Sequence, residues 1–596
     1  MHYLLLILLV PNLIFAQDSP QKLANKYFLS HDYEKAVNIY IEMEKNFFSS
    51  NYYSNYFFAL VKLEKYKEAE RLARKAYSKY YKNLIYQLDI GIAQKKQGKE
   101  KQAERTFEKV FSKINGQRSQ AIVLANTFAR YNMYQEALNV YNIFQEVNPK
   151  LTFGFQKAQL YVNLEQPEKM VEEYLNVIGN NASQKTYVIS QIQKFLDNDG
   201  IKSDKNYKIV KRALLKYVSM ESDNVYYSEL LIWFFMQNQQ YEMALKQAIS
   251  LDKRKKNNAD AVFDLAESFL DKKNYLLAIE AYNYILKKGK NNPLFIQSTI
   301  NSLYAKTKNI GFVQNHLNNI DKEYAVAIND LGKNSETILL LLNYAHFQAF
   351  FLDNLILAEN ILKEALSIPN LTAGDLAACK IEYADIQLLL GDVWQALLFY
   401  SQVEKDFKEN PIGHNAKLKI AKISYYQGDF EWAQAQLDVL KASTSKLISN
   451  DAMDLSLLIT DNYNIDTSDV PMKTFAYADM LLYQKKYKES IIKYDSILMY
   501  FPGHSLTDEI YMRKADIYLH LDSINSALKM YKKIEEEWSH DILADEALYM
   551  QASIYDNKLN KPEIAMSFYE NIVLNYQGSI YASEARNRFR FLRDKN

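Results

Sequence analysis

The sequence predicts an all-α fold, a solenoid of about fifteen antiparallel helix pairs, and three observations lead there. Gly and Pro together make up 25 of 596 residues, about 4%, where average usage gives roughly 12%. Folds built on many tight connections need those residues, so long helices joined by short loops are expected. The second observation is a ladder of Ala followed four residues later by an aromatic or aliphatic residue. It runs Ala36/Tyr40, Ala69/Ala73, Ala103/Phe107, Ala137/Tyr141, Met170/Tyr174, Ala244/Ala248, Ala278/Tyr282, Ala358/Leu362, Ala396/Tyr400, Ala433/Leu437, Ser490/Tyr494, Ala527/Tyr531 and Ala565/Tyr569. The third is a small residue twelve positions before most of these anchors: Ala24, Gly91, Ala125, Ala158, Ala266, Ala384, Ala421, Ala478 and Ala515. Small residues on both helices of a pair let the backbones approach, and a pair that cannot bury its apolar face alone must stack on its neighbours.

The elements follow in chain order. Residues 1–16 hold an apolar run, Tyr3 to Val10, then Pro11 and a small Ala16 before Gln17. That run is too short to span a bilayer and fits a cleaved secretory signal, although its n-region carries His2 and no Lys or Arg. Residues 17–180 hold five units of period 33–34. Residues 181–335 hold degenerate pairs, with irregular copies at Ala213/Tyr217 and Val313/Leu317 and loops expected at 180–183 and 197–200. Units of longer period fill 336–463, and Asn464 to Pro471 reads as a linker. Units of period 37–38 fill 472–577, and 578–596 is a capping helix bearing Arg586, Arg588, Arg590 and Arg593. Pro149 and Pro502 each lie twelve residues past an anchor, where a helix should stop.

This spacing resembles the tetratricopeptide repeat family over most of residues 20–577. The resemblance implies a right-handed superhelix and a role in binding protein segments along its concave face. The run YFPGHSLTDEIYMRKADIYL from Tyr500 is similar to repeats of bacterial envelope proteins, the Tol–Pal coordinator and outer-membrane-assembly lipoproteins among them.

Chemistry is sparse. The lone Cys379 rules out an intramolecular disulfide and the eight His form no H-x-x-x-H pair, so no standard zinc site is expected. Gly98-Lys99-Glu100 lacks the Ser/Thr of a phosphate loop, and Gly91 reads as a packing residue. S-x-x-K occurs four times, without its companion boxes. Neither a catalytic constellation nor a cofactor or metal site is expected. A net charge of +1 removes the global signature of a nucleic-acid binder.

By analogy with the family, the residue after each small position faces the concave groove. That row, Asn25, Ile92, Asn126, Gln159, Glu267, Asp385, Lys422, Asp479 and Asp516, turns acidic toward the C-terminus. With Tyr425, Tyr426, Phe475, Tyr483, Met512 and His520 nearby, it is expected to form an acidic, aromatic trough suited to a basic protein segment. The function expected is a non-enzymatic interaction scaffold exported to the bacterial cell envelope, periplasmic or outer-membrane-associated, with no transmembrane segment and room for peripheral membrane association. The alternatives are an accessory of a glycan- or peptidoglycan-processing system, with a site in 181–225 or 291–335, or a glycan-binding module using the 47 tyrosines.

Overall fold

The computed structural model describes residues 19–44, 50–180, 182–197, 204–309, 314–443, 445–463 and 468–595. The signal at 1–16, Val313 and the first half of the 464–471 linker, residues 464–467, lie outside them; Val470 and Pro471 open the helix Val470–Tyr483. Among the described residues there are 32 α-helices. They fall into two compact units, residues up to 259 and from 260 onward. In each unit consecutive helices pack as antiparallel hairpins, as the periodicity predicts.

The two sequence ladders account for the packing. The anchors Ala36, Ala69, Ala103, Ala137, Ala244, Ala278, Ala358, Ala396, Ala433, Ala527 and Ala565 are all fully buried, and so are the small residues Ala24, Ala158, Ala266, Ala384, Ala421, Ala478 and Ala515. Gly91 shows why this position must be small: a Cβ there would sit 2.7 Å from Phe107 Cδ1, and Phe107 is the residue four after the anchor Ala103. The irregular anchor Ser490 is also fully buried, its hydroxyl donating to the Ala478 carbonyl at 2.9 Å. The slot four residues after the anchor holds Tyr40, Tyr141, Tyr174, Tyr282, Tyr400, Tyr494, Tyr531 and Tyr569, all buried. Helices end at Val147 and Tyr500, two residues before Pro149 and Pro502.

A feature not anticipated from the sequence explains the scarcity of glycine. Thirteen hairpins turn through a left-handed residue placed five before the anchor: His31, Glu64, Gly98, Asn132, Glu165, Gln239, Lys273, Asp353, Gly391, Gly428, Lys485, Asp522 and Asn560. Ten of these are not glycine, although a side chain in this region costs roughly 1–2 kcal/mol. In return the next residue's N–H reaches the carbonyl five positions back, as in Lys65→Leu60, Met133→Phe128, Asn274→Phe269 and Lys486→Leu481 at 2.8–3.1 Å, satisfying helix-end carbonyls in a Schellman-type closure. Because this turn is three residues long and backbone-bonded, the array needs little Gly or Pro.

The basic run Lys253–Lys256 closes a helix: Lys253, Arg254 and Lys255 form the last turn of Tyr241–Lys255, and Arg254 donates to the Ser222 carbonyl and the Ser228 hydroxyl. The last helix spans Ala582–Lys595, and its Arg588 turns inward to Asp556 while Arg586, Arg590 and Arg593 stay exposed. The irregular zones are helical: Lys185–Asp197 and Asp204–Met220 in one, Phe295–Asn309 and Gln314–Leu331 in the other.

Candidate functional site

In the unit from 260 onward the acidic row and the tyrosine slot turn out to be one device. The first helix of a hairpin places a carboxylate fifteen residues before the slot tyrosine on the second helix. Tyr282 donates to Glu267, Tyr400 to Asp385, Tyr494 to Asp479, and Tyr531 to Asp516 at 3.3 Å. The tyrosine hydroxyl is thereby satisfied inside the core. Where the slot is Leu362 or Leu437, the residue fifteen earlier is Phe347 or Lys422, so the pairing follows the tyrosine.

A third member comes from the first helix of the next hairpin, 34 residues after the acid. Asn301 donates to Glu267 at 2.6 Å, Lys419 to Asp385 at 2.6 Å, and Arg513 to Asp479 at 3.3 Å. Asp479 also accepts from Tyr425 at 2.8 Å. The last hairpin repeats the scheme in altered register. One π turn, Ile554–Lys558, moves the acid to Asp556, which accepts from Tyr569 at 3.3 Å and from Arg588 at 3.0 Å. A cation beside a partly buried carboxylate offsets its desolvation, and the pair crosslinks adjacent hairpins. Burial and the neighbouring Asp385 and Asp479 push the Tyr400 and Tyr494 hydroxyls far above their ordinary range, so they stay protonated donors. Asp479 in turn raises Arg513.

The predicted trough is therefore largely occupied by its own side chains. Phe475 and Met512 are buried core residues and line no open groove. Asp385 is buried and Asp479 half-buried, each already holding a cation. Lys422 is half-buried, and burial lowers its pKa. Tyr426 and Tyr483 are half-buried, with ring centroids 6.3 Å apart, and burial raises both hydroxyls. The remaining two, Asp516 and His520, do border open space. With Leu482, Tyr483, Lys485, Tyr487, Leu519 and Met550 they line a cavity of about 460 Å³. His520 stacks on Tyr487, the rings 13° from parallel.

Lys485, at the left-handed turn of its hairpin, closes one side of that cavity. Its Nζ donates to the carbonyls of Ala349 at 3.0 Å and Phe350 at 2.9 Å, at the end of the helix Ile338–Phe350. Gln484 likewise reaches the Leu388 carbonyl at 3.1 Å. These contacts span 96 to 136 positions of sequence, and no hairpin periodicity announces them.

The irregular zones hold smaller cavities. One of about 330 Å³ is lined by Leu286, Phe295, Leu303 and Val326, and one of about 220 Å³ by Asp197, Asp204 and Tyr207. Among the described residues no three His, Cys, Asp or Glu gather as a metal site would need, and no helix is long and apolar enough to cross a membrane. Cys379 is buried, which pushes its thiol up to about 12.

The family model described as tetratricopeptide repeat matches residues 214–293. This segment is similar to tetratricopeptide repeats. It includes the hairpins Val225–Lys255 and Asp260–Leu286, which share the alanine anchor and the left-handed turn, the second also carrying the small residue Ala266. No curated protein matches the chain. Among solved structures, a tetratricopeptide repeat protein from Parabacteroides merdae is 15% identical, with 48% of this chain and 95% of that one covered and a TM-score of 0.26. Yeast Tom70 is 15% identical over 76% of this chain and 97% of that one, with a TM-score of 0.33. The Cut9–Hcn1 hetero-tetramer of the APC/C gives 13% identity, 91% and 96% coverage, and a TM-score of 0.25. Superpositions this loose carry no argument about function.

Proposed function

We propose that the chain is a non-enzymatic protein-interaction scaffold, exported to the bacterial cell envelope, that holds a basic protein segment on its C-terminal hairpins. The carrying observation is the first-helix face of the unit from 260 onward, where carboxylates are set at hairpin spacing and one of them, Asp516, opens on a cavity. Tetratricopeptide repeats present such faces to extended or helical segments. Support for export is the apolar run from Tyr3 to Val10 followed by Pro11 and Ala16. Of the 47 tyrosines that motivate the glycan-binding alternative, eight fill the packing slot and are unavailable to a glycan.

Affinity capture of the full chain from isolated envelopes, read by mass spectrometry, tests this. One stoichiometric protein partner is expected. Recovery of none, or a hydrolytic activity on peptidoglycan in the purified chain, would sink the reading.

A further inference from the structure

The repeated three-membered arrangement has one incomplete copy. At Glu267, Asp385 and Asp479 the position 34 residues on supplies Asn301, Lys419 or Arg513, but for Asp516 it is Met550, a side chain with no N–H to give. Met550 and Asp516 both line the cavity of about 460 Å³, which also admits His520, Tyr483 and the apolar Leu482 and Leu519. The cations around it are committed elsewhere: Arg513, one turn back on the same helix, bonds Asp479, and Lys485 bonds the carbonyls of Ala349 and Phe350. Glu546, on the next first helix, lies close enough to Asp516 to feel its charge. Burial raises the pKa of both acids; the charge of Asp479 adds to the shift of Asp516 and that of Asp516 to the shift of Glu546, while Arg513 opposes both.

We propose that the cavity beside Asp516 seats one lysine or arginine side chain of a partner protein, in the place that Arg513 takes at Asp479 and Lys419 takes at Asp385. The array itself shows what completes such a site: a cationic side chain reaching the carboxylate, its aliphatic stem against apolar walls. Tyr483, Leu482 and Leu519 supply those walls, and Tyr531 holds Asp516 from the far side. This rests on the scaffold reading and narrows it to one seat and one side-chain chemistry.

Two measurements on the full chain test it. The first supplies the cation in cis. Met550→Arg should raise the unfolding midpoint, and the gain should vanish when Asp516→Asn is added. A Met550→Arg effect that is the same with and without Asp516 overturns the proposal. The second uses a labelled probe, the peptide Gly-Ser-Arg-Ser-Arg-Ser-Gly, with its Gln-for-Arg twin as reference, read by fluorescence anisotropy. The Arg peptide should bind and the Gln peptide should not. Asp516→Asn or Met550→Arg should weaken binding by about tenfold or more, while the distant surface variant Glu431→Gln leaves it unchanged. Binding that ignores Asp516→Asn overturns this seat yet leaves the scaffold reading standing; capture of no partner from envelopes removes the scaffold reading whatever the peptide does.

Discussion

Asp479 and Asp516 hold the same place in consecutive hairpins, each following a buried alanine and each fifteen residues ahead of a buried tyrosine. Their surroundings diverge through one residue of the following hairpin. Arg513 completes the first, together with a second hydroxyl from Tyr425. Met550 leaves the second open on a cavity. The difference separates two uses of one pattern: a filled site is mortar between hairpins, and an open one is available to something outside the chain.

The largest expected effect comes from converting the first site into the second. Arg513→Met strips the cation from a half-buried carboxylate and should cost about 3 kcal/mol, measured by denaturant unfolding of the full chain. A loss below about 0.5 kcal/mol would mean that Asp479 does not depend on its partner. Next in size are the tyrosines. Tyr494→Phe removes a close bond to Asp479 and should cost about 1.5 kcal/mol. Tyr531→Phe removes a longer one, 3.3 Å, and should cost about half as much; equal costs would erase the distinction.

The pH prediction is smaller and has a definite sign. Burial raises the folded-state pKa of Asp516 above its ordinary value near 3.8. Its contribution to stability is thus fully present below about pH 4 and is lost as pH rises through the raised value. Relative to the parent, Asp516→Asn should therefore gain stability between about pH 4 and pH 7, seen as a rising difference in thermal midpoint. A flat difference would show that the carboxylate is well solvated and that the two sites differ less than their geometry implies. The smallest effect concerns the shared turn. Gln239→Gly, at φ 58°, should add about 0.5–1 kcal/mol by relieving the left-handed residue.

The fold was legible because its two ladders recur: nine of the twelve anchor spacings are 33 to 38 residues, and nine of the thirteen anchors have a small residue, Ala or Gly, twelve before them, which leaves little freedom about which faces meet. Most of the site was not. Placing the residue after each small position in the groove treated Asp385 and Asp479 as open, although the carboxylate and Tyr400 or Tyr494 are a fixed fifteen residues apart and that spacing is visible in the sequence. Phe475 and Met512 sit three residues before a small residue, on the buried side of the turn, and that too could have been read. The third member could not. Asn301, Lys419 and Arg513 meet their acids only through hairpin-to-hairpin packing, and the π turn at 554–558 shifts the register without any mark in the sequence.

The reach of Lys485 to Ala349 and Phe350 has a kinetic consequence. A stack of hairpins whose contacts are all local can begin folding anywhere and grow outward. A contact spanning 135 and 136 positions needs the intervening hairpins in place before its ends can meet, since the closure entropy of so long a free loop would otherwise oppose it. The bond between Lys485 and those carbonyls is therefore expected to form last, and to join residues 349–485 into a stretch that opens and closes as one.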